Sequence, residues 1–282
     1  MRIGGGVEIK YSSPEEWIFH LKALDYSAAI CPVGTDSSPE VRRAYREAAE
    51  RNGVVIGEVG VWKNPLAPDE AERKAAFDAC VAGMALAEEM GARCAVNISG
   101  SRGARWDGYD EDNYSADTYA LIIDQVRAVV DAVKPKKAVY SLEPMPWMHP
   151  WSPDDYLQML RDVDRPGFGV HLDFANMINS IERYHNRNAF VKECFDKLGP
   201  HIASIHAKDV ALREDKLPCT IQEGMPGTGG IDFAQVLRLA DKLPGETTLF
   251  VEHISSYNDY QKAVAYLRGI ADKEGITIPS LR

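Results

Sequence analysis

The sequence predicts an α/β protein built as a single (β/α)8 barrel, and three observations predict it. Short β-rich runs alternate with long helical patterns eight times over. The connections between them are short, which favours parallel strands joined by helical crossovers. The length, 282 residues, is long for an ordinary domain and usual for a barrel of eight βα units. No Pro/Gly/Ser-rich linker and no low-complexity segment divides the chain, so residues 1–282 read as one domain. An open doubly wound sheet is the alternative that strand–helix alternation alone leaves.

Each element has a local reason. The first strand is expected over 2–7 (RIGGGV) and its helix over 14–24. The second strand, 26–32 (YSAAICP), leads to a helix over 39–52. That helix opens after Asp36, Ser37 and Ser38, a cap signal followed at once by Pro39 at an early helical position. The third strand, 53–62 (GVVIGEVGVW), precedes a helix over 67–90, with Pro and acids expected in its first turn and Gly91 at its C-cap. The fourth strand is 92–99 (ARCAVNIS) with a helix over 114–133, and the fifth is 137–143 (KAVYSLE) with a helix over 152–163. Strand 167–173 (GFGVHLD) and helix 187–198 follow, then strand 202–207 (IASIHA) and helix 231–242, and last strand 247–252 (TTLFVE) and helix 257–273.

Composition narrows the function. Hydrophobic residues make up 45% of the chain, enough for a large core and against disorder. The net charge of −10 is a poor match for a phosphate backbone, which is bound by displacing counterions with Lys and Arg. The five cysteines, Cys31, Cys80, Cys94, Cys194 and Cys219, are scattered and form no C-x-x-C. A disulfide framework or cysteine zinc site is therefore not expected, and a reducing compartment is. The N-terminal stretch has no long apolar run, and no 18-residue apolar stretch occurs elsewhere. A soluble, cytoplasmic protein without membrane partners is expected.

In a (β/α)8 barrel the active site lies at the C-terminal ends of the strands. The fifth expected strand ends in Glu143, the sixth in Asp173, the seventh in His206 and the eighth in Glu252. Any one of them alone reads as a solvated loop acid or a satisfied core histidine. Together they place four metal-type ligands on one rim, each after a run apolar enough to be buried. A buried charge is costly unless paired or bound to a cation, and three converging carboxylates repel one another. A divalent cation resolves both problems. Three carboxylates and one imidazole suit Mn2+ or Mg2+, with Zn2+ and Fe2+ also admissible.

With these residues closing strands five to eight, the chain resembles the xylose-isomerase-like (sugar-phosphate isomerase/epimerase) TIM-barrel superfamily. The resemblance covers nearly the whole chain. Its most specific parts are LEP (142–144), LD (172–173), IHAKD (205–209), PGTGGIDF (226–233) and VE (251–252). It implies that Glu143, Asp173, His206 and Glu252 bind one divalent metal, commonly Mn2+. It further implies that Glu143 and Glu252 act as a catalytic acid/base pair on opposite faces of a sugar carbon beside a carbonyl, through an enediolate stabilised by the metal. Lys208 and Asp209 then position substrate or orient the ligands. The sequence departs from the epimerase pattern at Asn176, where those enzymes carry a histidine, in MPWMHPW after Pro144, and at Thr228, where many relatives are acidic.

Further candidates surround this set. Of the five tryptophans, Trp62, Trp106, Trp147 and Trp151 follow expected strand ends, where they would either pack or form a stacking platform for a sugar face or an attached aromatic group. His171, two residues before Asp173, should point into the barrel with it. His149 is a candidate movable acid/base, Arg213 a candidate for a substrate phosphate, carboxylate or hydroxyl, Asn176 a substrate contact, and Glu58 a candidate contact from the third strand. His185 and His253 read as incidental. The expected function is a metal-dependent isomerase or epimerase of a ketose or keto-sugar. The alternative is a lyase of the same superfamily that cleaves an oxidised (3-keto) glycoside by β-elimination. A three-zinc DNA-repair endonuclease would need more than seven histidines and a basic groove, and a non-catalytic binding protein would have no use for four intact ligand positions. The expected partner is a small carbohydrate, not nucleic acid, with a homo-oligomer or an auxiliary subunit left open.

Overall fold

The computed structural model describes residues 1–281. In chain order its elements are β1 (Arg2–Gly5), α1 (Pro14–Leu24), β2 (Ala28–Ile30), α2 (Pro39–Arg51), β3 (Val55–Gly60), α3 (Glu70–Met90), β4 (Cys94–Asn97), α4 (Ala116–Val133), β5 (Val139–Leu142), α5 (Pro153–Val163) and β6 (Phe168–Leu172). Two short helices, α6 (Phe174–Met177) and α7 (Ile181–His185), precede α8 (Arg187–Leu198) and β7 (Ile202–Ala207). A hairpin, β8 (Asp209–Leu212) and β9 (Ile221–Gly224), comes before α9 (Phe233–Ala240), β10 (Thr248–Val251) and α10 (Tyr257–Glu274).

Eight parallel strands form one sheet in the order β1-β10-β7-β6-β5-β4-β3-β2. The Ser27 N–H donates to the Ile3 carbonyl at 2.8 Å and brings β2 back beside β1. The result is a nearly closed TIM barrel with helices between its strands. Sequential order around the ring, with no point of reversal, rules out the doubly wound sheet.

Serine caps start most of the large helices. Ser13, Ser38, Ser115, Ser152 and Ser256 each accept a backbone N–H three residues on, at about 1 kcal/mol each. Pro14, Pro39 and Pro153 occupy the first helical turn, where a missing N–H costs nothing. Helix α3 begins later than the sequence suggests. Asp69 caps it through the Glu72 N–H, so Pro68 lies outside the first turn. The αL cap at Gly91 falls where the sequence puts it.

Alternation sends every second side chain of a strand into the barrel. Large apolar residues on the opposite faces pack against the helices, and Trp17 belongs there, buried with its ring 5.7 Å from that of Tyr45. Inside, the Phe250 ring crosses to β3, where a Cβ on Gly57 would collide with it. Above Phe250 the interior becomes polar. Among the described residues no helix is long and apolar enough to cross a membrane.

Candidate metal centre

Strand parity builds the site. Ser204, His206 and Lys208 alternate inward at β7, His171 and Asp173 at β6, Ser141 and Glu143 at β5, and Thr248, Phe250 and Glu252 at β10. Glu143, Asp173, His206 and Glu252 converge so that one ligand atom from each lies within 4.8 Å of the others. His206 Nδ1 is 2.8 Å from Glu252 Oε2, 3.1 Å from Glu143 Oε1 and 3.8 Å from Asp173 Oδ2. Lys208 reaches the same cluster, with its Nζ 2.7 Å from Asp173 Oδ2, 3.0 Å from Glu252 Oε2 and 3.6 Å from Glu143 Oε1.

The chemistry of this set fits a divalent cation. Asp173 Oδ1 caps α6 by accepting the Asn176 N–H at 2.9 Å, leaving Oδ2 for the centre. Asp173 Oδ2 and Glu252 Oε2 are buried and make no hydrogen bond, although cationic nitrogens lie near them. Buried carboxylate oxygens turned toward one point beside an imidazole form a hard O/N donor set.

A second layer lies beneath. Glu58, buried on β3, has Oε2 3.3 Å from His206 Nε2. Its other oxygen accepts from the Ser204 hydroxyl, which in turn accepts from Thr248 at 3.1 Å. His171 Nδ1 is 3.3 Å from Glu58 Oε1, and the His171 and His206 rings meet edge to face at 4.0 Å. His171 is fully buried with neither ring nitrogen hydrogen-bonded.

These environments pull the titrations apart. Burial pushes the Glu143 carboxyl up to about 7, against His206 and Lys208. Burial acts the same way on Asp173 and Glu252, but Lys208 and His206 beside Asp173, and His206 and Lys208 beside Glu252, outweigh it and hold both well below the usual carboxylate range. Burial opposes charge on His206 too, yet Glu252, Glu58 and Glu143 raise it well above an ordinary histidine. Burial and the neighbouring His206 lower His171 to about 4, so it is neutral at neutral pH.

Above the centre opens a cavity of about 850 Å3, with Glu58, Glu143, His206 and Glu252 in its walls. Trp62, Trp106, Trp147 and Asn176 also line it. The Asn176 amide donates to Glu143 Oε1 at 3.3 Å and to the Pro144 carbonyl at 3.0 Å.

The sequence profile of the xylose isomerase-like TIM barrel family matches residues 15–280. The chain belongs to this family. No curated protein matches it in sequence. Similar solved structures include a D-tagatose 3-epimerase-like protein, 20% identical with TM-score 0.71, covering 98% of this chain and 98% of that one. A xylose isomerase-like TIM barrel protein from Mycobacterium smegmatis, in complex with magnesium, is 17% identical with TM-score 0.67, covering 95% of this chain and 92% of that one. Endonuclease IV from Thermus thermophilus is 12% identical with TM-score 0.70, covering 97% of this chain and 100% of that one. At these identities the likeness is one of fold, and an epimerase-like protein and a nuclease share it.

Within this family barrel, several sequence candidates stand outside the cavity. His149 Nδ1 is held 2.8 Å from Asp155 Oδ2 at the start of α5, its ring edge-on to Tyr119 and Tyr114. Arg213 lies on the hairpin loop, paired with Asp215 at 2.9 Å and Gln222 at 2.7 Å. Trp151 turns to a separate groove, where Arg183 stacks over it at 5.3 Å. Asp209 is fully buried and accepts four backbone N–H groups, from Val210, Gly227, Gly229 and Ile231, at 2.8 to 3.0 Å. It thereby ties the PGTGG loop to the end of β7.

Two cavity residues escaped the sequence reading. Glu223, on β9, is 3.4 Å from Lys208 and 2.9 Å from His253 Nδ1. His253 sits in the left-handed region at φ 54°, and its Nε2 is 3.6 Å from Glu252 Oε1. The only signal for the pair was the parity of Ile221 and Glu223 in a strand that the βα pattern does not call for.

Proposed function

We propose that the protein is a divalent-metal-dependent isomerase or epimerase of a ketose or keto-sugar, working by proton transfer beside a carbonyl. The observation that carries this reading is the convergence of Glu143, Asp173, His206 and Glu252 on one point beneath a cavity of ligand size. Two of these carboxyls are unlike. Without the cation Glu143 holds its proton up to about pH 7, while Glu252 is kept ionised. A bound cation displaces the Glu143 proton, so it is their placement at the ends of β5 and β10, either side of β6 and β7, that suits the two carboxyls to act as an acid and a base in one reaction.

Glu143, Asp173, His206 and Glu252 would hold the cation, Mn2+ first among the candidates. A cation there supplies Lewis-acid polarisation of a substrate carbonyl. The chain's own residues handle the protons. Glu252 takes the proton from the carbon beside the carbonyl, giving an enediolate. Glu143 returns a proton to that carbon from the opposite face. Lys208, 3.0 Å from Glu252, favours its ionised form. Asn176 holds Glu143 Oε1 from the α6 side. A nuclease reading finds less support, since the net charge is −10 and Arg105, in the cavity wall, is bound to Asp107 at 2.6 Å.

A second reading shares the first step. Proton removal followed by loss of a β-substituent would make the protein a lyase of an oxidised glycoside. The apolar side of the cavity, with three tryptophans, favours keeping it. One experiment tests both. The Mn2+-loaded protein is incubated in D2O with ketoses and with 3-keto-glycosides, and the recovered sugars are analysed. Deuterium is expected at the carbon beside the carbonyl. Turnover without that exchange overturns the proton-transfer mechanism.

A further inference from the structure

The cavity is divided. The groups that form the centre come from β5, β6, β7 and β10, while the opposite side is built by the chain following β2, β3 and β4. That opposite side presents Ile30 at the end of β2, Trp62 after β3, Ile98 after β4, and Trp106 in the loop beyond. Trp147 joins them from the loop after β5, its indole N–H bonded to the Asp107 carbonyl at 2.8 Å. The bond locks the ring and ties the loops after β4 and β5 together.

Trp62 has an unusual backbone. It lies in the left-handed region at φ 51°, a genuine outlier for a bulky side chain. Its indole folds back over the end of β3 against Gly60, where a Cβ would collide with the ring. An unfavourable conformation and a glycine thus both serve to lay one flat ring along the cavity wall, still 37% exposed. Strain of this kind gathers at ligand clamps. A packing tryptophan would be buried, as Trp17 is at 1%.

We infer that this side is a subsite for a planar, apolar aglycone, so that the substrate is a neutral aromatic keto-glycoside whose oxidised sugar end reaches the metal centre. The inference rests on the proposed sugar chemistry and names its substrate class. A second sugar ring also stacks on indole, but its hydroxyls need several polar partners, and the Ile30–Trp62–Ile98 side supplies few. A phosphate needs a free cation. Arg105 is already paired with Asp107, and Lys208 lies among the carboxylates. The cavity is near the upper end of the roughly 300–1,000 Å3 usual for ligand sites, large for a bare ketose.

The test is binding, independent of turnover. Calorimetry on the Mn2+-loaded protein compares methyl β-glucoside, cellobiose and 2-naphthyl β-glucoside, none carrying the keto group. The naphthyl glucoside is expected to bind at least about tenfold tighter than either of the others. Trp62→Ala should remove most of that advantage and Trp62→Phe should keep it, with melting temperature and Mn2+ affinity unchanged in both. Equal binding of the methyl and naphthyl glucosides, cellobiose binding as tightly as the naphthyl compound, or an advantage that survives Trp62→Ala would each overturn the inference. A failure of the sugar chemistry itself would appear as missing deuterium exchange, which this measurement does not touch.

Discussion

Glu58 and His206 face each other inside the barrel, with Oε2 3.3 Å from Nε2, while the other nitrogen of the same ring looks out at three carboxylates. A carboxylate behind a histidine fixes which ring nitrogen carries the proton and raises the basicity of the other. Here Nε2–H donates to Glu58 and Nδ1 is turned to the ligand set. Glu58→Gln keeps the volume and removes the charge, so Mn2+ affinity should weaken by about 10- to 100-fold. Calorimetric titration with Mn2+ reads this directly. An affinity within twofold of the parent would mean that Glu58 does not tune the ligand.

Metal binding should strengthen with pH. In the metal-free protein, burial opposes the charge on His206, but the neighbouring Glu252, Glu58 and Glu143 outweigh it and leave His206 well above 6.5, so its stabilising proton is fully present below about 6.5 and lost as pH rises through the folded value. Burial raises Glu143 from 4.5 to about 7, so the folded state holds a proton there that the unfolded chain has released. Stability from this group therefore falls as pH rises from 4.5 to 7. A cation needs both groups bare and competes with these protons. The rise in melting temperature caused by Mn2+ should thus be small near pH 5.5 and larger near pH 7.5. A pH-independent shift would contradict the proton coupling.

The barrel and the rim were legible in the sequence because both rest on local rules. Strand parity and eightfold alternation place Glu143, Asp173, His206 and Glu252 on adjacent strand ends without knowledge of any contact. What escaped depends on contacts between distant segments. Arg213 reads as a free cation until the β8–β9 hairpin gives it Asp215 and Gln222. His149 reads as a mobile group until α5 brings Asp155 beneath it. His253 reads as incidental because its closeness to Glu223 requires that hairpin to fold over the mouth. Trp62 and Trp151 both follow strand ends, and only the backbone at Gly60 and the position of Arg183 send one ring into the cavity and the other out.

The acid/base pair makes a kinetic prediction. Glu143→Gln and Glu252→Gln should each lower kcat by roughly 10^2-fold or more on the true substrate, the usual scale for a positioned proton-transfer group. Solvent exchange separates the two roles. Loss of Glu252, the proposed base, should abolish deuterium uptake into recovered substrate. Loss of Glu143 should leave some uptake, because proton removal still occurs. Equal residual rates and unaltered exchange in both variants would remove the two glutamates from proton transfer.

For Asp209, a structural role and a substrate-binding role predict different losses, and its four acceptor bonds set the structural one. Oδ1 takes the N–H groups of Val210 and Ile231, and Oδ2 those of Gly227 and Gly229. In Asp209→Asn one of these oxygens becomes an NH2 group facing two N–H donors, and in Asp209→Ala all four lose their acceptor. A hydrogen bond to a charged group is worth about 1.5–3 kcal/mol, and a buried donor left without a partner costs about 1–3 kcal/mol. Urea denaturation should therefore show a loss of several kcal/mol for Ala and a smaller loss for Asn. Mn2+ affinity of the folded fraction should change little, because Asp209 is absent from the ligand cluster. Unaltered stability together with a raised KM would instead make Asp209 a substrate contact, as the sequence alone suggested.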